Sequence, residues 1–367
     1  MILSEEEIKY TIALTNTKGL GISRCKKLIR SFSGAEEVFC SNKSEIVKRS
    51  GISSKVLSNF PDKQALEFAE RETEFIVKNK IDFLRFDSSE YPFLLKQLVD
   101  SPVFIVVKGN YSFDFNRAIS IVGTRNMTNY GRAFCEDLFR SISKYNPTII
   151  SGLAYGVDIW AHKLALKYQL QNFAVVAHGL NQIYPKIHLP VAREIMQNGA
   201  LISEFTSDSK PDRENFPQRN RIIAGLSKHT IVIEAAIKGG ALITADFAND
   251  YNRDVFALPG RRDDPFSAGC NKLIQENKAI LLSSPDELVS YLEWSKGNEK
   301  KVIQKSLFIE TTFEENRIIE LLIKEDKNLD RLALELNMEV HKLVGILLEM
   351  ELKNLIKPLP GKLFRLL

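Results

Sequence analysis

Ala118-Ile119-Ser120-Ile121-Val122-Gly123-Thr124-Arg125 is an apolar, β-branched run that stops at a glycine and, after a few polar residues and Gly131, gives way to helical spacing. A strand that ends in a glycine loop and feeds a helix is the repeating unit of a doubly wound α/β sheet. Outward from it the unit recurs. Residues 103–107, 148–151, 173–177, 200–203, 230–234, 254–258 and 279–282 are further short apolar runs, separated by segments long enough for helices. Continuous apolar strands of this kind predict a Rossmann-like, mainly parallel sheet covered on both faces, over residues 81–295.

The flanks read differently. Across residues 1–80, Ile8, Ile12, Leu14, Leu28, Ile29, Leu66, Phe68, Phe75 and Ile76 recur at helical spacing, which predicts a small all-helical domain. Within it Gly19-Leu20-Gly21 separates two helical stretches, and Ser50-Gly51-Ile52 is a weaker echo. The pattern looks like a helix-hairpin-helix (SAM-like) unit whose turn can offer backbone N–H groups to a phosphate, but a plain turn between packed helices is the favoured reading. Residues 296–310 are polar and lysine-rich and read as a linker. Residues 311–367 carry three helical patterns and a terminal hairpin, the plan of a winged helix. From Glu314 onward nine Lys/Arg stand against ten Asp/Glu. A helix that reads DNA needs a positive face, so this module is expected to contact protein rather than a groove.

Bulk properties set few limits. The 367 residues are 44% hydrophobic and 26% charged, with a net charge of +4, which suits a globular protein of several modules. Cys25, Cys40, Cys135 and Cys270 lie far apart and form no metal or disulfide spacing, so neither a metal nor a disulfide framework is expected, and the absence of a G-x-G-x-x-G or P-loop motif at the strand ends predicts no cofactor. The first residues are acidic where a signal peptide is basic, and no apolar run is long enough for a membrane span. A cytoplasmic protein without membrane contact is the expectation.

Ligands of open α/β sheets bind beyond the carboxyl ends of the strands, and four motifs fall there. Gly123 permits close backbone approach, Thr124 offers a hydroxyl, and Arg125 can grip a phosphate with two N–H groups. Gly152 opens a second glycine loop, followed by Asp158 and His162 one helical turn apart. That pair reads as a metal or acid/base couple, or as a helix-start carboxylate supporting a histidine; no third ligand or nucleophile is spaced to complete a site, which favours the structural role. Tyr184-Pro185-Lys186 precedes Phe216-Pro217-Gln218-Arg219-Asn220-Arg221, where Pro217 can open a helix and bring Arg219 and Arg221 to its positive end. Phe216 beside them is placed to stack on a base, as single-strand tracks use aromatics, or else to join the core. Lastly, Gly239-Gly240 before a helix forms another concavity for an anion.

Taken in order, V-G-T-R, S-G-L-A-x-G-x-D-x-x-A-H, Y-P-K, L-I-S-E, F-P-x-R-N-R-I-I-A-G-L, G-A-L-I-T-A and V-F-A-L-P-G resemble the DNA-processing protein A (DprA/Smf) family over residues 81–290. The resemblance implies a non-enzymatic protein that binds and protects single-stranded DNA during natural transformation, loads a RecA-type recombinase onto it, and forms a homodimer through the Rossmann-like domain. It implies strand contacts by Gly123, Arg125, Lys186, Arg219 and Arg221, with Phe216 and Asn220 as further candidates. The competing hypothesis is a nucleotide-processing hydrolase of the lysine-decarboxylase-like group. Its P-G-G-x-G-T-x-x-E segment corresponds here to K-G-G-A-L-I-T-A-D, without the third glycine or the catalytic glutamate. A plain nucleotide-sensing module is the third.

Overall fold

In a computed structural model the described residues are 3–113, 115, 117–294, 312–323, 326–353, 355–359 and 363–366. The chain divides into two compact units, residues 1–295 and 296–367. The expected linker at 296–310 and the hairpin turn at Gly361 lie outside the described residues.

The first unit begins with α1 (Glu5–Asn16), α2 (Ile22–Ser31), α3 (Ala35–Cys40), α4 (Lys43–Ser50) and α5 (Lys63–Lys78). Side chains of Ser4, Asn42 and Asp62 accept from first-turn amides and start α1, α4 and α5. Gly51, in the left-handed region at φ 65°, ends α4. Ile12, Leu14, Leu28 and Ile46 are fully buried, and their cluster runs without a break into the sheet through Leu84, Val103 and Ile105. Polar anchors accompany that shared core. Glu7 pairs with Arg85, Lys26 Nζ donates to Ser101 Oγ at 2.6 Å, and Glu72 accepts from Ser207 N at 2.8 Å. Lys26, in the helix after the glycine turn, is thereby buried; burial pulls its pKa down to about 8, Arg30 and Arg221 pull the same way, and Asp100 opposes them.

Then follow β1 (Asp82–Arg85), α6 (Phe93–Lys96), β2 (Phe104–Asn110), β3 (Ala118–Val122), α7 (Asn129–Ile142), β4 (Thr148–Ser151) and α8 (Val157–Lys167). Next come β5 (Asn172–Val175), α9 (Leu189–Ile195), β6 (Gly199–Ser203), α10 (Asn215–Leu226), β7 (His229–Val232) and α11 (Gly240–Asp250). The unit closes with β8 (Asp254–Ala257), α12 (Ala268–Gln275), β9 (Ile280–Leu281) and α13 (Pro285–Tyr291). The sheet order is β1-β2-β6-β5-β4-β3-β7-β8-β9. Pairing is parallel from β6 to β9 and antiparallel where β2 joins β1 and β6. This is the mainly parallel Rossmann-like sheet expected.

Strand β3 shows why both faces are apolar. Ile119 and Ile121 point into a core with Leu138 of α7, Ala161 of α8 and Leu288 of α13, while Ala118 and Val122 belong to the core that holds Ile222 of α10 and Ala245 of α11. The hydroxyl of Ser120 satisfies the Ile223 carbonyl at 2.7 Å. At the far edge β9 is shorter than its sequence run, and Ile280 and Leu281 are partly exposed there.

The second unit is a winged helix: α14 (Phe313–Leu322), β10 (Lys327–Asn328), α15 (Leu329–Leu336), α16 (Val340–Leu352), β11 (Ile356–Leu359) and β12 (Leu363–Leu366). Ile318, Leu332, Leu343, Leu347 and Met350 form its core. Several cations here are paired: Lys342 with Glu314 at 2.6 Å, Lys353 with Glu315 at 2.7 Å and Arg365 with Asp326 at 2.6 Å. Along α16, Val340, Val344 and Leu348 are 46%, 47% and 57% exposed and share one outward face at four-residue spacing.

Candidate functional site

The chain leaves β3 toward β4, β5 and β6, then returns to lay β7 on the other side of β3. At such a switch point the loops after the two central strands part and leave a crevice. A cavity of about 360 Å³ opens there, lined by Gly123, Thr124, Arg125, Phe216, Arg219, Asn220, Gly239 and Gly240. Sequence-predicted residues up to 117 positions apart thus meet in one place. A smaller recess beside it adds Gly152, Tyr155 and Tyr184. Lys186 lines neither; it is exposed in the short turn Lys186–His188.

The loop after β3 is held from two sides. Thr124 N donates to the Glu234 carbonyl at 2.6 Å, and Val157 N, at the start of α8, donates to the Thr124 carbonyl at 3.1 Å. Gly123 is required by packing, because a Cβ there would collide with the Val157 side chain. Gly156, at φ 75°, lets α8 pass close to the Thr124 carbonyl. The Thr124 hydroxyl accepts from Asn126 N at 3.1 Å, so it braces the loop as well as facing the cavity.

Helix α10 supplies the opposite wall. Pro217 sits at its third position, where the missing N–H costs no helical bond. Residues 219 and 221 are two positions apart and therefore about 200° apart around the axis. Arg219 turns into the protein, donating to the Gly152 carbonyl at 2.6 Å and to the Val175 carbonyl. Burial lowers its pKa to about 10, Asp158 opposing and Arg125 adding to the fall, so it stays charged. Gly152 has no room for a Cβ, which would lie against Asp158 and Arg219.

Arg221 does not join this cluster. It pairs with Glu204 and donates to the Asp100 carbonyl, away from the cavity, where burial raises the Glu204 pKa to about 7 against the pull of Arg221. The convergence of both arginines expected from the sequence is corrected by helix phase. Phe216 is half-buried and lies between two cations: Arg125 Cζ is 5.3 Å and Arg219 Cζ 5.7 Å from its ring centre. Tyr184 meets it edge-on at 6.3 Å.

Asp158 and His162 do not form a couple. Asp158 accepts from Ala154 N at 3.3 Å, and burial raises its pKa while Arg219 opposes. His162 Nδ1 meets Asn172 Oδ1 at 2.6 Å, and burial depresses its pKa to about 4. The histidine is supported by Asn172, from β5, rather than by the carboxylate one turn away. Among the described residues no group of three or more His, Cys, Asp and Glu is placed to hold a metal.

A third wall is the N-terminus of α11, where Gly239 is the N-cap and no side chain caps the helix. Asn220 Nδ2 donates to the Gly240 carbonyl at 3.1 Å and ties α10 to α11. Arg125, Lys238 and the first-turn amides of α11 therefore face one opening, an arrangement that receives an anion. Lys238 and Glu234 were not picked out from the sequence. The signal for Glu234 was a carboxylate at the end of an apolar strand, with no local partner to explain it.

Comparison with known proteins identifies the family. A family model described as DNA recombination-mediator protein A matches residues 82–293, and a DprA winged helix domain model matches residues 309–362. Protein Smf of Synechocystis sp. is 33% identical over 312 residues, 82% of this chain and 77% of that one. DNA processing protein DprA of Bacillus subtilis is 39% identical over 207 residues, 56% of this chain and 70% of that one. The X-ray structure of DNA processing protein A from Streptococcus pneumoniae superposes with a TM-score of 0.63 at 30% identity, covering 79% of this chain and 98% of that chain. That from Helicobacter pylori, described for its single-stranded DNA binding mode, gives 0.54 at 29% identity, covering 59% and 97%.

Proposed function

Because the chain belongs to the DNA recombination-mediator protein A family, we propose that it holds single-stranded DNA in the crevice between β3 and β7. The observation that carries this reading is the meeting of Arg125, Lys238, the uncapped N-terminus of α11 and the Phe216 ring at one opening. Cations and amides serve the phosphates, and the aromatic ring serves the bases without reading their edges. The Helicobacter pylori relative, described for single-stranded DNA binding, supports the same ligand. Strand contacts fall to Gly123, Thr124, Arg125, Phe216, Asn220, Gly239 and Gly240, with Lys186 at the margin. Arg219 and Gly152 act by building the floor.

The protein is a mediator rather than an enzyme in this reading. The hydrolase alternative needs a carboxylate free to act as a base, whereas Asp158 is engaged with Ala154 N beside Arg219 and Glu234 with Thr128. By family likeness it delivers the strand to a RecA-type recombinase in the cytoplasm and works as a homodimer through the Rossmann-like domain. The winged helix, with its paired cations and outward Val340, Val344 and Leu348, takes a protein partner.

Fluorescence anisotropy with labelled oligothymidine, duplex of the same length and mononucleotides tests the proposal. Single strand is expected to bind most tightly, with little sequence preference. Equal or tighter duplex binding moves the site to the winged helix, and preference for a mononucleotide restores the nucleotide-sensing reading.

A further inference from the structure

Glu234 lies two residues beyond the C-terminal end of β7 and is 1% exposed. Its two carboxylate oxygens accept from Thr128 N at 2.8 Å and from Thr128 Oγ1 at 2.5 Å, and its backbone carbonyl accepts from Thr124 N. Thr128 is the N-cap of α7. Gly131, in the first turn of that helix, has no Cβ to push the carboxylate away; one would lie 2.5 Å from Oε2. A buried carboxylate thus sits at the positive end of a fourteen-residue helix, and among the described residues it bonds there without an ion pair. That is the place where a Rossmann-like sheet receives a dinucleotide's pyrophosphate.

Between the two ends of this contact lies the loop that carries Arg125. Glu234 holds the loop at Thr124 through its backbone and at Thr128 through its side chain, so both sides of Arg125 are fixed to one residue of the loop that follows β7. We propose that Glu234 is the positioning residue of the phosphate-binding loop, its carboxylate filling the anion seat of α7 so that Arg125 and the α11 N-terminus are left to take a strand's phosphate. The inference rests on the single-stranded DNA reading above. It also explains the ligand class: with the α7 seat occupied by the protein's own carboxylate, a nucleotide's pyrophosphate has no place there.

The sign of one substitution tests it. Glu234→Gln removes a negative charge close to a site for phosphates, so electrostatics alone tightens oligothymidine binding. A positioning role does the reverse, because the amide has one acceptor oxygen and can meet the Thr128 hydroxyl only with its NH2, which gives up the two charge-assisted bonds to the carboxylate, and affinity is expected to fall about tenfold. Coupling supplies the second readout. In an Arg125→Ala background the loss caused by Glu234→Gln is expected to vanish, leaving at most the electrostatic tightening, since the residue it positions is gone. If Glu234→Gln does not fold, Thr128→Val and Thr128→Ser replace it: loss with valine and near-normal binding with serine are expected, the loss again vanishing without Arg125. Tighter or unchanged binding by Glu234→Gln, or an equal loss with and without Arg125, overturns the inference while leaving the DNA reading intact. Failure of the unaltered protein to bind oligothymidine overturns both.

Discussion

Arg219 and Arg221 stand on the same helix, yet one braces the crevice floor and the other a buried pair on the far side. Replacing Arg221 by alanine leaves Glu204 buried without its partner and is expected to cost about 3–5 kcal/mol of stability, read as a lowered urea midpoint, with little change in affinity once folded. Arg125 is the opposite case: Arg125→Ala should leave the midpoint in place and weaken oligothymidine binding by about 1.5–3 kcal/mol, with the log–log salt slope shallower by about 0.7. Normal affinity and an unchanged slope would remove Arg125 from the site. His162 offers a test by pH. Its folded pKa, depressed by burial to about 4, lies below its ordinary 6.5, so the unfolded chain binds the proton first. Its contribution is complete above about pH 6.5 and is lost as pH falls toward 4, by about 3 kcal/mol in all. Urea titrations of the protein and of His162→Gln should therefore differ in slope across that window, and parallel curves would show that the ring is not buried neutral.

At the level of elements, the strands were legible because the central strands are apolar on both faces, and helices such as α5 and α7 because each has a one-sided stripe. The glycine loops at strand ends placed the crevice for the same reason. What spacing did not reveal was phase and long-range partnership. Two arginines in one motif look like a cluster until the helix turns them apart, and Glu234 acquires meaning only from Thr128, 106 residues away. In the winged helix Lys342 is paired with Glu314. Lys342→Ala is expected to leave oligothymidine affinity unchanged within about twofold, because an exposed paired cation of this kind contributes little. Loss of binding would move the site to this unit.

On the scale of the molecule, the front helices and the sheet share a core and three polar anchors, from α1, α2 and α5. They should unfold together. Cys40, in α3, is exposed while Cys25, Cys135 and Cys270 are buried, so a fluorophore on Cys40 reports the helices as tryptophan emission from Trp160 and Trp294 reports the α/β part. Coincident urea midpoints are expected, and an earlier midpoint at Cys40 would mean the helices melt alone. The sheet order also has a consequence for synthesis. Strand β2 finds its second neighbour in β6, Val106 opposite Ser203, about a hundred residues further along the chain. At roughly 5–20 residues per second, a ribosome exposes the apolar β1–β2 ribbon for about 5–20 seconds before that neighbour emerges. For that interval the newborn chain carries an open strand edge, and a chaperone that shields such edges has its opening there.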